Sequence, residues 1–304
     1  MTRVAAIDCG TNSIRLLVAD VAGDHLTDLV RSMEIVRLGE GVDRTGRLAP
    51  AAIERTRVAL AGYAATIKDL NAQRVRMVAT SASRDASNAD DFRAMVLGEL
   101  GSAPEVVTGD EEARLSFTGA VKGLPGTFPS PYLVVDIGGG STEFVVGAAE
   151  VESAISVDIG CVRMTERHLH SDPPTQPEIE AAVADITAAV DRALLAVPGR
   201  SAKSLVGLAG SVTTVTALAL GLDGYDPERI HHACVSYEQV AEVTERLLGQ
   251  TAAERLENPV MHPGRADVIG AGALVLRTIM ERAGMDAVIA SEHDILDGIA
   301  WSLS

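Results

Sequence analysis

The sequence is poor in cysteine and in basic residues. It has three cysteines, Cys9, Cys161 and Cys234, and none of them stands in a Cys-x-x-Cys spacing. This scarcity argues against a disulfide framework and against a cysteine-based zinc site, and it favours a reducing, cytoplasmic environment. Lysine and arginine total 26 against 42 acidic residues, which gives a net charge of −16. Because nucleic-acid binding needs a basic footprint, we expect no nucleic-acid partner.

Long hydrophobic runs and a leader-like start are also lacking. Polar residues interrupt every long apolar stretch, so the sequence predicts no transmembrane helix and no membrane association. No basic segment followed by an apolar core stands at the start; Val4 begins a predicted strand instead. The 304 residues are 47% hydrophobic and 22% charged, which is typical of a soluble globular protein of two domains.

Two distant segments follow the same pattern. Asp8-Cys-Gly-Thr-Asn-Ser13 and Asp136-Ile-Gly-Gly-Gly-Ser-Thr-Glu143 each follow a short apolar run and lead into another. Each therefore predicts a strand, a glycine-rich turn and a second strand. Glycines let a backbone approach an anion closely, and Ser and Thr hydroxyls add donors for phosphate oxygens. Because a carboxylate repels a phosphate, the pattern also indicates a divalent cation such as Mg²⁺ between them.

These segments supply most of the predicted site. Asp8, Asp136 and Glu143 are the candidate metal ligands, directly or through water. The candidate phosphate-binding residues on the two turns are Thr11, Asn12, Ser13, Arg15, Gly138, Gly139, Gly140, Ser141 and Thr142. A simple hairpin turn explains the glycine triplet less well, and a dinucleotide-binding motif is disfavoured because a strand follows it. Arg15 and Glu143 could also be strand residues that face outward.

The remaining sequence predicts an α/β protein with two similar lobes. Three strands followed by alternating helices and strands occur approximately twice, and a Pro- and Gly-rich stretch at 122–131 separates the copies. We assign 1–123 and a C-terminal helix at 294–304 to a first lobe with the first loop. The second lobe, 124–293, carries the second loop, and the lobes are expected to face each other across a cleft. Asn88 and the Thr175–Glu178 capping box mark two helix starts.

Seven ordered motifs resemble one protein family, the exopolyphosphatase / guanosine pentaphosphate phosphatase family. Two of the motifs are the glycine-rich segments. The other five are Arg37-Leu-Gly-Glu-Gly-Val-Asp43, Thr80-Ser-Ala-Ser-Arg-Asp-Ala-x-Asn88, Gly109-Asp-Glu-Glu-Ala-Arg-Leu115, Gly160-Cys-Val-Arg163 and Arg265-Ala-Asp267. The resemblance covers essentially the whole chain. It implies the actin, sugar-kinase and heat-shock ATPase fold, with two ribonuclease-H-like lobes. The chain resembles the short form, which lacks additional C-terminal helical domains.

The resemblance implies a hydrolase with Mg²⁺ or another divalent cation as cofactor. Its substrate would be inorganic polyphosphate, which loses terminal orthophosphate, or guanosine pentaphosphate, which loses its γ-phosphate. The resemblance is also compatible with a homodimer. In the family the second glutamate of Glu-Glu-Ala-Arg activates the attacking water, which here is Glu112. The chemistry agrees, since such a water needs a carboxylate to accept its proton. Acids that merely cap the helix are the alternative explanation, with Glu111 as second candidate.

Further residues extend the predicted site. Arg84 follows a strand and, as in the family, is expected to bind phosphate with its guanidinium. Gly210 and Ser211 stand where nucleotide-binding relatives hold adenosine, and we expect them to line the cleft or to hold distal phosphates. Four arginines could form a basic track or be surface charges: Arg37, Arg44, Arg163 and Arg265.

Two other functions are weighed against hydrolysis. A kinase of the same superfamily would need a sugar-facing aspartate base, for which the sequence offers no clear candidate, and short bacterial sugar kinases usually add a cysteine-rich zinc motif. A non-enzymatic sensor that binds alarmone nucleotides or polyphosphate would not need Glu112 beside Asp8 and Asp136. Phosphate release in the presence of Mg²⁺ separates these functions.

Overall fold

The computed structural model describes residues 2–23 and 25–304. They divide into two compact units. Unit 1 takes the chain up to residue 119 together with 295–304, and unit 2 takes 120–294. Each unit is built around its own β-sheet.

Unit 1 contains a five-stranded sheet in the order β3-β2-β1-β4-β5. The strands are β1 (Thr2–Cys9), β2 (Ser13–Ala22), β3 (His25–Ile35), β4 (Arg74–Ala79) and β5 (Glu105–Val106). The helices before residue 122 are α1 (Val42–Thr45), α2 (Pro50–Asp69), α3 (Ser81–Asp85), α4 (Ala89–Leu100) and α5 (Gly109–Val121). Alternate residues of the central strand β1 enter two different hydrophobic clusters, because both faces of the sheet are covered.

Unit 2 contains a six-stranded sheet in the order β10-β11-β9-β6-β7-β8. Its strands are β6 (Tyr132–Ile137), β7 (Thr142–Gly147), β8 (Val151–Val157), β9 (Ser204–Leu208), β10 (Cys234–Ser236) and β11 (Ala287–Ala290). Its helices are α6 (Cys161–His168), α7 (Gln176–Ala196), α8 (Ala209–Ala219), α9 (Pro227–Ile230), α10 (Tyr237–Gly249), α11 (Ala252–Leu256) and α12 (Ile269–Ala283). A short 3₁₀ turn occupies Gly199–Ser201.

The two sheets share one topology. Strands β8-β7-β6-β9-β11 repeat the order β3-β2-β1-β4-β5, with an antiparallel meander followed by parallel neighbours. The predicted α/β class and its internal repetition are therefore confirmed. Within the described residues, none of the helices combines the length and the apolar character that crossing a bilayer requires.

Two local predictions need correction. The alternation from Leu29 to Leu38 predicts a third strand there. The strand instead covers 25–35, because its pairing with β2 runs down to the connecting turn while its edge-strand residues are mostly polar. Asn88 precedes α4 but does not cap it with its side chain. Its amide instead bonds Leu48, accepting from the N–H at 2.8 Å and donating to the carbonyl at 3.1 Å. The tertiary contact thus replaces the local cap.

A final helix, α13 (Ile295–Ser302), belongs to unit 1. Its apolar residues join a cluster with β1 and β2, and its glycine Gly298 lies against α5. A Cβ on Gly298 would stand 2.0 Å from the carbonyl oxygen of Leu115, so only glycine allows this approach. The buried carboxylate of Asp297 accepts from both Nη atoms of Arg31 on β3.

Replacing Asp297 with alanine is expected to lower the free energy of unfolding of unit 1 by about 2 kcal/mol, because a buried acceptor of a charged donor is removed. Trp301 is the single tryptophan and lies on α13, so its fluorescence during urea unfolding measures the effect. Asp28→Ala is the matched control, since Asp28 binds the same arginine at an exposed position. It should cost less than about 0.5 kcal/mol. Equal losses in the two variants would contradict this account.

Glu178 closes the capping box at the start of α7, as predicted. Its pKa is lowered to about 2, mainly by the N–H of Thr175; burial opposes the shift, while the Thr175 hydroxyl, the His170 N–H and the Ser171 hydroxyl add to it. The folded pKa lies below the ordinary value of 4.5, so the ionised carboxylate stabilises the fold above that pH. The stabilisation is lost as the pH falls from there towards 2.

Glu178→Gln is therefore expected to lower the melting temperature at pH 7 and to lower it much less at pH 3. Thermal unfolding of both proteins followed by circular dichroism at the two pH values measures this. A difference of the same size at both pH values would mean that the carboxylate charge is not involved.

Candidate active site

The two glycine-rich segments form the same turn. The N–H of Gly10 donates to the carbonyl of Ser13 at 3.0 Å, and the N–H of Gly138 donates to the carbonyl of Ser141 at 3.0 Å. The first turn joins β1 to β2 and the second joins β6 to β7. The predicted strand–turn–strand pattern is thus confirmed at both positions.

The segment 36–39 holds the first loop by donating backbone N–H groups to the carbonyl groups of the loop. The Thr11 carbonyl accepts from the N–H of Gly39 at 2.8 Å, and the Asn12 carbonyl accepts from Val36 at 3.1 Å and Arg37 at 2.8 Å. A Cβ on Gly39 would come within 2.3 Å of the Thr11 side chain. Glycine at 39 is therefore required for this close packing.

The second loop is held in the same way by the start of α6. The carbonyls of residues 138 to 140 accept from the N–H groups of residues 160 to 163 at 2.9 to 3.2 Å. Within the described chain, the N–H groups of Gly139, Gly140 and Ser141 donate to no other backbone group. Successive N–H groups of this kind form an anion-binding concavity, which a phosphate group fits.

The charge at the two loops differs. Asp8 lies opposite Arg15 in the β1–β2 register, and its Oδ2 accepts from Arg15 Nε at 3.0 Å and Nη2 at 2.6 Å. At the corresponding positions of unit 2, Asp136 lies opposite Glu143. Both of these carboxylates are buried, and Ser156 Oγ donates to Glu143 at 2.7 Å. Unit 2 therefore opposes two carboxylates where unit 1 opposes a carboxylate and a guanidinium.

The pair of carboxylates in unit 2 fits a divalent cation. Directly opposed like charges on neighbouring strands are destabilising, and a cation between them would remove the repulsion. Carboxylate oxygens are ligands that Mg²⁺ prefers, and Mg²⁺ usually takes only one or two of them, with waters and phosphate oxygens completing the shell. In the described residues, no group of three or more His, Cys, Asp or Glu side chains is arranged to hold a metal ion. Asp136 and Glu143 suit such a shared shell.

Three acids begin α5, and only Glu112 is buried. Asp110 binds Arg114 at 3.0 Å and Glu111 binds Arg76 at 2.8 Å, both with side chains about half exposed. Glu112 is 7% exposed, and its Oε2 lies 3.3 Å from Arg84 Nη1. Asp110 and Glu111 thus form ion pairs at the surface, and Glu112 is the buried carboxylate of this turn.

Helix α3 links the first loop to Glu112. Its first residue, Ser81, shares a hydrogen bond of 2.9 Å with the Thr11 hydroxyl. Its residue Arg84 donates to the Val107 carbonyl at 3.0 Å as well as to Glu112. Arg84 therefore orients the glutamate through the same guanidinium that the sequence assigns to phosphate.

The remaining predicted residues lie at the same sheet edges. Val78 near the end of β4 and Leu208 at the end of β9 are in parallel register with Asp8 and Asp136. Gly210 and Ser211 follow β9 in the first turn of α8, where Arg265 packs on Gly210 and donates to its carbonyl at 3.3 Å. Ligands of α/β proteins bind at the carboxyl ends of parallel strands.

One hydroxyl is committed elsewhere. Thr142 is fully buried, and its hydroxyl donates to the Ile159 carbonyl at 2.6 Å. Because a hydroxyl has a single proton, Thr142 cannot donate to phosphate from its side chain in this arrangement. Its contribution to the loop is structural, whereas Ser141 has no such commitment among the described contacts.

Sequence reasoning missed Ser81, Ser83 and Gly160. The Ser83 hydroxyl is buried and has no hydrogen-bond partner within the described chain. Gly160 lies so close to the second loop that a Cβ would meet Gly139 atoms at 2.2 Å. All three stand in the family motifs, but a motif does not indicate that its serines or its glycine contact a distant loop.

Comparisons with known proteins place the chain in one family. The model of the Ppx/GppA phosphatase family matches residues 17–303. A curated relative, Exopolyphosphatase 2 of Mycobacterium tuberculosis, is 55% identical over 100% of this chain and 99% of its own.

Solved structures agree with this assignment. An exopolyphosphatase-like protein is 44% identical, with a TM-score of 0.97 over 100% of this chain and 98% of its own. The Aquifex aeolicus PPX-GPPA enzyme is 32% identical, with a TM-score of 0.83 over 99% of each chain. The chain therefore belongs to the Ppx/GppA phosphatase family, as its motifs predict, and is an enzyme of the exopolyphosphatase type that hydrolyses phosphoanhydride bonds.

Proposed function

We propose that this protein releases terminal orthophosphate from inorganic polyphosphate. The observation that carries the proposal is the row of three N–H groups at residues 139 to 141 beside the buried pair Asp136 and Glu143. Such a row binds phosphate oxygens without reading any other chemical group. The identity to a named exopolyphosphatase over its full length supports the same substrate.

Guanosine pentaphosphate is the second candidate substrate. The family name covers phosphatases of both kinds, and a loop that contacts phosphate alone also accepts the phosphate end of this nucleotide. Removal of the γ-phosphate would use the same groups. The choice between the two substrates is therefore a matter for direct comparison.

Glu112 is proposed as the general base. A water in line with the terminal phosphorus would lose its proton to the Glu112 carboxylate, which Arg84 holds in place. The loop N–H groups would hold the phosphate oxygens in the substrate and in the transition state alike. A divalent cation held by Asp136 and Glu143, when bound, would neutralise the charge of the phosphate chain.

Phosphate release from long polyphosphate, tripolyphosphate and guanosine pentaphosphate, each with Mg²⁺, tests the function. We expect phosphate units to be released one at a time from the chain end. Orthophosphate should therefore be the product, without the chain fragments that internal cleavage would produce. Tight binding of these compounds without release would favour a sensor. Transfer of phosphate to a sugar without release to water would favour a kinase.

Asp136→Asn is expected to raise the Mg²⁺ concentration for half-maximal activity at least about tenfold, because one of two ligands to the cation loses its charge. Asp8→Asn is the matched variant and should shift this concentration less, since Arg15 already balances Asp8. Thermal stabilisation of each protein by Mg²⁺ gives a reading that does not depend on turnover. A larger shift for Asp8→Asn would move the cation to the first loop.

A further inference from the structure

Arg163 is set differently from an arginine that contacts substrate. Its side chain is 13% exposed, and its Nε donates to the carbonyl of Gly140 at 2.7 Å. Its Nη2 lies 3.9 Å from the exposed carboxylate of Asp158. The guanidinium thus lies beneath the glycine-rich loop of unit 2, on the side where the carbonyl groups point.

We infer that Arg163 is a positioning residue, which turns the phosphate-binding N–H groups of this loop towards the substrate without contacting the substrate itself. The inference rests on the proposed function of the loop. It differs from the sequence-based interpretation of Arg163 as part of a basic track or a surface charge.

Peptide geometry makes this connection. In a trans peptide the carbonyl of one residue and the N–H of the next lie in one plane and point in opposite directions. The carbonyl of Gly140 and the N–H of Ser141 belong to one such peptide. A donor that fixes the carbonyl towards α6 therefore fixes the N–H away from α6. In the same way, the Gly138 carbonyl shares a peptide with the N–H of Gly139, and the Gly139 carbonyl shares one with the N–H of Gly140.

The third peptide depends most on Arg163. Gly138 and Gly139 carbonyls each accept a backbone N–H of α6 at 2.9 Å. The Gly140 carbonyl accepts from Gly160 at 3.2 Å, the longest of these bonds, and from Arg163 Nε at 2.7 Å, the shortest.

Two variants separate the hydrogen bond from the charge. Nε of arginine and the amide nitrogen of glutamine are both bonded to Cδ, so Arg163→Gln keeps an N–H donor and removes the charge. The side chain of methionine in Arg163→Met reaches the position of Nε but carries no donor. For Arg163→Met we expect a rise of about tenfold in KM for polyphosphate and a change of less than about threefold in kcat, since the loop binds the substrate and the transition state alike. Arg163→Gln should stay within about threefold of the wild type.

The control is Arg282→Met, which removes an arginine of the same unit that pairs with Asp191 at the surface. It should leave KM unchanged. All kinetics are measured at low and high salt, with melting temperatures as a check on folding. The rise in KM in Arg163→Met should be the same at both salt concentrations, because Arg163 does not act directly on the charge of the substrate.

Three results would overturn the inference. The first is unchanged KM in Arg163→Met. The second is an Arg163→Gln variant as impaired as Arg163→Met, and the third is a loss that shrinks as salt rises; both would show that the charge acts on the phosphate chain directly. Should Arg163→Met not fold, tripolyphosphate titration of wild type and Arg163→Gln, followed by the amide resonances of residues 139 to 141, decides. Equal shifts support positioning, and absent shifts in the variant overturn it.

Failure of the proposed function and failure of the inference about Arg163 give different results. A wild-type protein that releases no phosphate from polyphosphate would refute the proposed function. The tripolyphosphate titration would still test Arg163 in that case, because it measures binding alone.

Discussion

Glu112→Gln is expected to lower kcat for polyphosphate by at least about a hundredfold, with little change in KM. Glutamine keeps the size of the side chain and can still accept from Arg84, but it cannot take a proton from water. The loss should therefore appear in turnover, since only the proton acceptor is removed. Initial rates of orthophosphate release at saturating polyphosphate measure it.

Glu111→Gln is the matched control for this variant. Glu111 is the preceding acid of the same helical turn and forms an ion pair with Arg76 in which the glutamate side chain is about half exposed. Its replacement should keep kcat within about twofold, because exposed pairs contribute little. A hundredfold loss in Glu111→Gln together with full activity in Glu112→Gln would reverse the assignment. Full activity in both variants would exclude Glu111 and Glu112 as the base.

Gly160→Ala is expected to lower kcat/KM for polyphosphate by about a hundredfold, the usual cost of displacing a binding group by about 1 Å. The φ of Gly160 is −94°, which alanine also adopts, so the backbone conformation itself is not strained. The added Cβ would instead meet the carbonyl carbon and oxygen of Gly139 at 2.2 Å. These are backbone atoms of the loop, and the loop must move to make room.

Gly249→Ala provides the control on the same unit. Gly249 is the last residue of α10, and a Cβ there meets nothing within 4 Å. This variant should be as active as the wild type and equally or slightly more stable, since alanine favours a helix. If Gly160→Ala kept wild-type kcat/KM, the close approach of α6 would not determine the loop conformation.

The sequence carried local patterns well and tertiary partners poorly. The two loops could be predicted because glycine, hydroxyl and acidic residues follow strands at positions where only a few structures suit them. The capping box at Thr175 was equally predictable, since its signal lies within one helical turn. The difference in charge between Asp8–Arg15 and Asp136–Glu143 depends on strand register, which sets residues seven apart side by side.

Other features could not be read from the sequence for a physical reason. The hydrogen bond between Thr11 and Ser81 joins residues 70 positions apart. The contact of Gly160 with the second loop depends on where α6 begins, and no pattern in Cys161–His168 predicted that helix. Burial likewise separated Glu112 from Glu111, although both stand in the same acidic run.

Unit 1 is discontinuous, and α13 completes it. During synthesis the ribosome releases all of residues 120–294 before it releases the helix that packs against Leu115. Unit 2 can therefore reach its final structure while the hydrophobic cluster beneath β1 still lacks Ile295, Leu296 and Ile299. Glu112 lies on the helix that Gly298 supports, so the proposed base reaches its place only after α13 has left the ribosome. A nascent chain would then hold its phosphate loop of unit 2 ready before it is able to hydrolyse anything.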